Sequence, residues 1–402
     1  MDSHDLYVGI DVSKLKHDIA VIDDQKKLLT PCFAIRETAA GYDELFERLI
    51  KIQNRCHATH VNIGMEATGE YWKNLYHFFL NRTDWPVTVI NPMQTRHFAK
   101  SQLRRAKTDS IDAVDIARYM QERQPAPTPP RTFGLQAIRD IDRQILSLVK
   151  ERNANIYRLR LELGKTFPEL EQKSSSLTAR RVLILLQHYP TAESIRNTPA
   201  EKLYELNYDG NKKRRLPTSF LNQVKALAQN SIACKYGANA GIIVQALAQR
   251  INQINQHIIW LQKNLVTSFR QQNGKPSILA TIPGIAPLTA TILEAYIGDV
   301  NRFANYKKMV AYFGMNPTVH LSGKATRSRS RLEKKGHARV RGILFLNTLT
   351  MIRFKVDPIY SFYQRKVDEG KPKMVALCAA MRKLLVIIYE MLKNNEPFRL
   401  EK

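Results

Sequence analysis

The chain has 402 residues, 44% of them hydrophobic, enough for two or three cores and typical of a globular protein in water. Its 62 Lys+Arg against 36 Asp+Glu leave a net charge of +26, which repels itself in a compact fold unless a polyanion neutralises it, so nucleic acid is the expected partner. The charged N-terminus, the absence of any long apolar run and four scattered cysteines without a CxxC pair argue against a signal peptide, a membrane span, a zinc ribbon and a disulfide framework.

Along the first 125 residues the pattern alternates between strand and helix. LYVGI ends at Asp11, HDIAVID follows after a hairpin-sized gap, and LLTPCFAI is a third extended piece. GYDELFERLIKI has helical spacing, with Leu45, Leu49 and Ile52 on one side. HVNIGMEATG reads as a buried strand before the helix YWKNLYHFFLN, and PVTVINP as a further strand before the helix KTDSIDAVDIARYM. Three antiparallel strands followed by alternating helices and strands predict a mixed sheet in an α/β layer.

QERQPAPTPPRT, with four prolines between Pro125 and Pro130, predicts a stiff linker or domain edge. Beyond it Ile138, Ile141, Ile145 and Leu148 step as a coiled-coil seam does. A cleaner seam runs through Val244, Leu247, Ile251, Ile254, Ile258, Leu261 and Leu265. It predicts either an antiparallel helical pair within the chain or an interface between protomers. Short helices and the basic run NKKRRLP separate the seams. LATIPGIAPLTATILEAYIGD has the Pro-Gly turn of a helix-hairpin-helix. SGKATRSRSRLEKKGHARVR then packs eight Lys/Arg and one Glu between Ser322 and Arg341. The domains expected are 1–125, a helical coiled-coil region over 126–272, and a mainly helical C-terminal domain over 273–402.

The acids stand out against this charge. Asp109, Asp112 and Asp115 recur at i+3 on one helix, where like charges gain nothing unless a cation lies between them. Asp11 closes the first strand and Glu66 a later one. In an RNase H-like fold these places converge at one edge of the sheet, where Asp11, Glu66, Asp109 and Asp112 would hold one or two Mg²⁺ through oxygen ligands. Asp115 is expected to be solvated or to stand behind the ligands.

The ordered set GIDVSK, GMEATG, VINP and KTDSIDA resembles the DEDD transposases of bacterial insertion sequences, the group of the pilin-gene invertase and the bridge-RNA-guided recombinases. IPGIAPLTATILEAYIGDVNRFANYKKMVAYFGMNP, HLSG and KKGHARVRGILF are similar to that family's second domain. The resemblance covers about residues 6–125 and 275–395. It implies a RuvC-like N-terminal domain whose metal-binding acids correspond to Asp11, Glu66, Asp109 and Asp112. Ser322 corresponds to a nucleophile that joins covalently to DNA. His320 stands where many relatives carry an aromatic, and Ser328 where glycine is usual.

The resemblance further implies donor and target duplex DNA, a structured guide RNA, and an oligomer that pairs dimers into a tetramer in synapsis, in a bacterial cytoplasm at the nucleoid. Arg104, Arg105, Lys107, Lys324, Arg327, Arg329, Arg331, Lys334, Lys335, Arg339 and Arg341 are the expected nucleic-acid contacts. His337 is read equally as a phosphate contact or a turn residue. A protein-only invertase and a hydrolytic junction nuclease, in which water replaces Ser322, are the competing readings.

Overall fold

The structure, a computed structural model, describes residues 4–101, 109–129, 132–173, 176–208, 215–233, 237–318, 331–332 and 336–399. The chain divides into two compact units, Met1–Thr132 and Phe133–Lys402.

The first unit is built on a five-stranded sheet. β1 (Asp5–Val12) pairs antiparallel with β2 (Lys16–Ile22), and β2 with β3 (Phe33–Arg36). On its other side β1 runs parallel to β4 (His60–Glu66), and β4 to β5 (Val87–Ile90), so the order is β3-β2-β1-β4-β5. This is the mixed sheet predicted from sequence. Helix α1 (Ala39–Arg55) is capped by Thr38, whose hydroxyl accepts from the Gly41 amide at 3.1 Å, and it buries Leu45, Leu49 and Ile52 as expected. α2 (Trp72–Arg82) meets it through Tyr42, Phe46 and Phe78.

Two helices follow β5 where one was predicted. Asn91 caps α3 (Pro92–Ser101), its side chain accepting from the Met93 amide at 2.9 Å, and Pro92 takes the first helical position. α4 (Asp109–Arg123) then lies directly on the sheet. A Cβ on Gly9 would stand 2.1 Å from the Ala113 carbonyl oxygen, and one on Gly64 2.3 Å from Met120 Cγ. Glycine at position 9 lets the helix backbone approach the strand, and glycine at 64 leaves room for the Met120 side chain.

The proline-rich segment is no free linker. Thr128 donates its amide to the Val87 carbonyl at 2.9 Å, and its Oγ1 accepts from the Val89 amide at 2.8 Å. It therefore lies along the open edge of β5, with prolines that cannot template another strand.

The second unit is helical. α5 (Thr132–Thr166) and α11 (Gly237–Asn273) are its long members. Between them come α6 (Pro168–Lys173), α7 (Arg180–His188), α8 (Ala192–Arg196), α9 (Ala200–Tyr204) and α10 (Thr218–Gln229). After α11 come α12 (Pro287–Ile297), α13 (Tyr306–Tyr312), α14 (Ala338–Arg353), α15 (Ile359–Asp368) and α16 (Lys373–Asn394). The segment before the Pro-Gly turn is a single 3-10 turn, Ile278–Thr281, so the first helix of the expected helix-hairpin-helix is missing.

The long seam is buried inside the chain, in two separate cores. Val244 and Ile251 pack with Leu159, Leu163 and the short helices. Ile254, Ile258 and Leu265 pack with Ile138, Ile145 and the C-terminal helices. A polar belt separates them: Arg250 grips Glu151 at 2.6 and 3.0 Å, and Arg152 donates to Asn255 at 3.2 Å. The intramolecular alternative of the two expected for the seam is the one observed, and an interface between protomers does not follow from it.

Candidate active site

Side chains alternate along β1, and the glycine contacts fix which face is which. Gly9 lies under α4, so Asp11, two residues on, belongs to the same face. Gly64 lies under α4 as well, which puts Glu66 there too. The parallel register pairs Gly9 with Gly64 and Ile10 with Met65, so Asp11 and Glu66 are neighbours at the C-terminal ends of adjacent strands.

α4 supplies the remaining acids. Ala113, Ile116, Ala117 and Met120 are its buried stripe toward the sheet. Asp109 precedes Ala113 by one turn, and Asp112 precedes Ile116 by one turn, so both positions extend that stripe toward the strand ends. Asp112 is half-buried; the Asp109 side chain lies outside the described residues. Glu66 is held from two sides, its Oε2 accepting from Thr95 at 2.9 Å and its Oε1 from Thr68 at 3.2 Å. Thr95 is a buried residue of α3, the helix missed in the sequence although Asn91-Pro92 signals its start.

The structure places two further acids. Asp115 is 7% exposed, which excludes the solvated of its two expected roles and leaves the position behind the ligands. Asp18 of β2 stands directly across from Asp11 in the antiparallel ladder, with Lys16 Nζ 3.2 Å from its carboxylate. This fifth acid at the same edge was not singled out from sequence, where nothing but the hairpin register could have revealed it.

The donors suit a hard divalent ion in kind, being carboxylates of Asp11, Glu66 and Asp112 with hydroxyls bracing Glu66. Among the described residues no three acids close to ligand distance. The sheet edge and the stripe of α4 point Asp11, Glu66 and the positions of Asp109 and Asp112 toward the same end of the sheet.

In the second unit Ser322, Lys324, Arg327 and Arg329 lie outside the described residues, as do Lys334 and Lys335, and, in the first unit, Arg104, Arg105 and Lys107. The described residues on either side of Ser322 form a two-stranded ladder, β6 (Pro317–Thr318) and β7 (Arg331–Leu332), in which Thr318 pairs with Arg331.

Arg331 lies in β7; two other expected nucleic-acid contacts have described side chains, and they differ from each other. Arg339 donates to both oxygens of the fully buried Asp142, at 2.7 and 3.0 Å, so its charge is already matched. Tyr296 donates its hydroxyl to the same carboxylate at 3.1 Å. Arg341 donates to the Phe313 carbonyl at 3.2 Å and faces His337. Asp142 and Tyr296 gave no sequence signal as a pair, since they lie far apart in the chain.

Comparison with known proteins agrees with both halves. A profile described as a transposase matches residues 8–168, and one described as the IS116/IS110/IS902 transposase family matches residues 276–364. The chain is 25% identical to the pilin gene-inverting protein of Moraxella lacunata, over 98% of this chain and 97% of that protein. It is 23% identical to the mini-circle putative transposase for IS117 of Streptomyces coelicolor, over 99% and 96% of the two chains. A mixed sheet gathering acids at the ends of β1 and β4, followed by a helical unit that carries the second matched segment, places this chain in the IS110 family of transposases.

Proposed function

We propose that the chain is a DNA recombinase of an insertion sequence that cuts and rejoins donor and target duplexes through a covalent phosphoserine intermediate. The observation that carries this reading is the meeting of Asp11 and Glu66 at adjacent strand ends, beneath the acidic first turns of α4, in a chain of net charge +26. Gathered carboxylates repel one another unless a cation shares them. Mg²⁺ is the proposed cation, held by Asp11, Glu66, Asp109 and Asp112. When bound it polarises the scissile phosphate and stabilises the leaving oxygen.

Ser322 Oγ then forms a bond to phosphorus while the bond from phosphorus to the leaving deoxyribose oxygen breaks. The hydroxyl proton leaves to solvent and the departing oxygen takes one up. One phosphate ester replaces another, so the bond energy is kept for rejoining and no nucleotide is consumed. Lys324, Arg327, Arg329, Arg331, Lys334 and Lys335 hold the backbone beside Ser322, and Arg104, Arg105 and Lys107 hold it beside the acids. A structured RNA encoded by the element guides target choice, and dimers pair into a tetramer with a composite site of acids and serine. A second reading, inversion by a protein that reads DNA directly, is favoured by the pilin gene-inverting relative that matches this chain almost end to end.

The test is a nicked suicide duplex incubated with the protein and Mg²⁺, then denatured and digested for mass spectrometry. A nucleotide adduct on the Ser322 peptide, absent in Ser322→Ala, is expected. Normal cleavage by Ser322→Ala without any adduct overturns the reading in favour of a hydrolytic nuclease. Sequencing RNA that copurifies with the protein separates the guided reading from the protein-only one.

A further inference from the structure

His337 sits at the centre of a cluster that neither the acids nor Ser322 account for. Gly336 before it has φ +96°, and a Cβ there would stand 2.2 Å from the Tyr312 carbonyl oxygen, so glycine lets this turn press against the end of α13. The imidazole then lies among Tyr296, Tyr312 and Phe313, with ring centroids 5.6, 5.4 and 6.0 Å away. Its Nε2 is 3.1 Å from the Tyr312 hydroxyl, and its Nδ1 has no hydrogen-bond partner among the described residues. It also forms the N-terminal boundary of α14, a helix with no side-chain cap.

Guanidiniums surround this ring. Arg139 of α5 is fixed by donating Nε to the Ala295 carbonyl at 2.7 Å. Arg302 lies over the rings of Tyr312 and Phe303, at 4.5 and 4.6 Å, on an exposed face. Arg341 reaches in from α14. Of the nearby acids, Asp142 is engaged by Arg339 and Tyr296, and Asp140 by Arg143. No carboxylate pairs with Arg139 or Arg302 among the described residues. Burial and the three charges of Arg139, Arg302 and Arg341 together hold the imidazole below its ordinary range.

We propose that Arg139, Arg302 and Arg341, together with His337 and the open N-terminus of α14, form a binding site for one backbone phosphate of a nucleic acid. Arginine forks and free amides match phosphate oxygens, and Tyr312, 40% exposed beneath Arg302, offers a face for the adjoining nucleotide. Such a site would anchor the strand in the same unit as the β6–β7 ladder, which flanks Ser322 in sequence. The identity of the anion rests on the nucleic-acid reading; the existence of the site does not rest on strand cleavage.

The experiment follows the histidine ring signals of the full chain, labelled with ¹⁵N-histidine, through a pH titration, with His337→Gln assigning the resonance. Inorganic phosphate, a short DNA duplex and an RNA hairpin are added in separate arms. Neutralising the arginines should move the His337 midpoint upward by about one pH unit, the size of a single close charge effect. Arg302→Ala, at an exposed position, should raise the midpoint without any ligand and blunt the response to each one. A midpoint that ignores all three ligands overturns the proposal, and a response to phosphate alone marks an adventitious ion only, which overturns it too. Response to DNA but not RNA, or the reverse, identifies which strand the site holds. Repeating the titration on Ser322→Ala separates the two readings, because that chain cannot form the adduct but should keep the response.

Discussion

Arg339 grips Asp142 through two hydrogen bonds, of 2.7 and 3.0 Å, across 197 residues of chain. The pair fastens α14 to α5, and Tyr296 joins α12 to the same carboxylate. Asp142→Ala should therefore cost about 3–5 kcal/mol, because it strands a partly buried guanidinium. Calorimetry should record a fall in melting temperature of roughly 10 °C. Duplex affinity measured well below the transition should stay near wild type, whereas a large loss of affinity with unchanged melting would make the pair a DNA contact.

Asp11→Asn, Glu66→Gln, Asp109→Asn and Asp112→Asn should each lower strand cleavage at least about a hundredfold, while duplex binding, which the cationic surface supplies, persists. Thr95→Val removes only the hydroxyl that braces Glu66. It should raise the Mg²⁺ concentration needed for half-maximal cleavage about tenfold. Cleavage titrated against Mg²⁺ checks both, and an unchanged midpoint in Thr95→Val would leave that hydroxyl without a role at the site.

Gly9→Ala should separate α4 from the sheet, since the new methyl group meets a backbone carbonyl that cannot swing aside. A loss of about 1–3 kcal/mol in stability is expected, together with a loss of cleavage larger than the folding defect explains. Urea unfolding beside single-turnover cleavage measures the two.

Much of this edge was legible in the sequence because its signals are local. Strand ends, the i+3 aspartates and the apolar stripe of KTDSIDAVDIARYM follow from periodicity over a few residues. The bracing of Glu66 by Thr95 was not, since it joins α3 to β4. Asp18 escaped because the hairpin register decides which residue faces Asp11. The sequence marks Arg339 only as one of a basic run and gives Asp142 no signal, for charge alone does not reveal a partner far along the chain. The apolar seam is plain in the spacing, yet spacing cannot tell a partner in the same chain from one in another.

Ile251 and Ile258 are 0% and 6% exposed, each in one of the two cores that α11 crosses. Changing both to Lys should lower the melting temperature by well over 10 °C with an unchanged mass in light scattering, because two cores each receive an unpaired charge. Clean dissociation of a stable oligomer into folded protomers would instead return the seam to an intermolecular role.

The stability of the second unit should rise as pH increases through the ordinary histidine range. His337 titrates lower when folded than unfolded, so the unfolded chain binds more protons between the two values, and stability rises as pH climbs toward about 6.5 and levels off above it. His337→Gln should flatten this slope below about pH 6.5 in thermal melts. An unaltered slope would show that other groups dominate it.

The polar belt of Glu151, Arg152, Arg250 and Asn255 divides the helical pair into a base and a tip whose buried apolar residues form two separate clusters among the described residues. Each side can then accumulate changes without repacking the other. The short helices between α5 and α11 share their core with Leu159, Leu163, Val244 and Ile251 on the long pair, apart from the core that packs the base of that pair against the C-terminal helices.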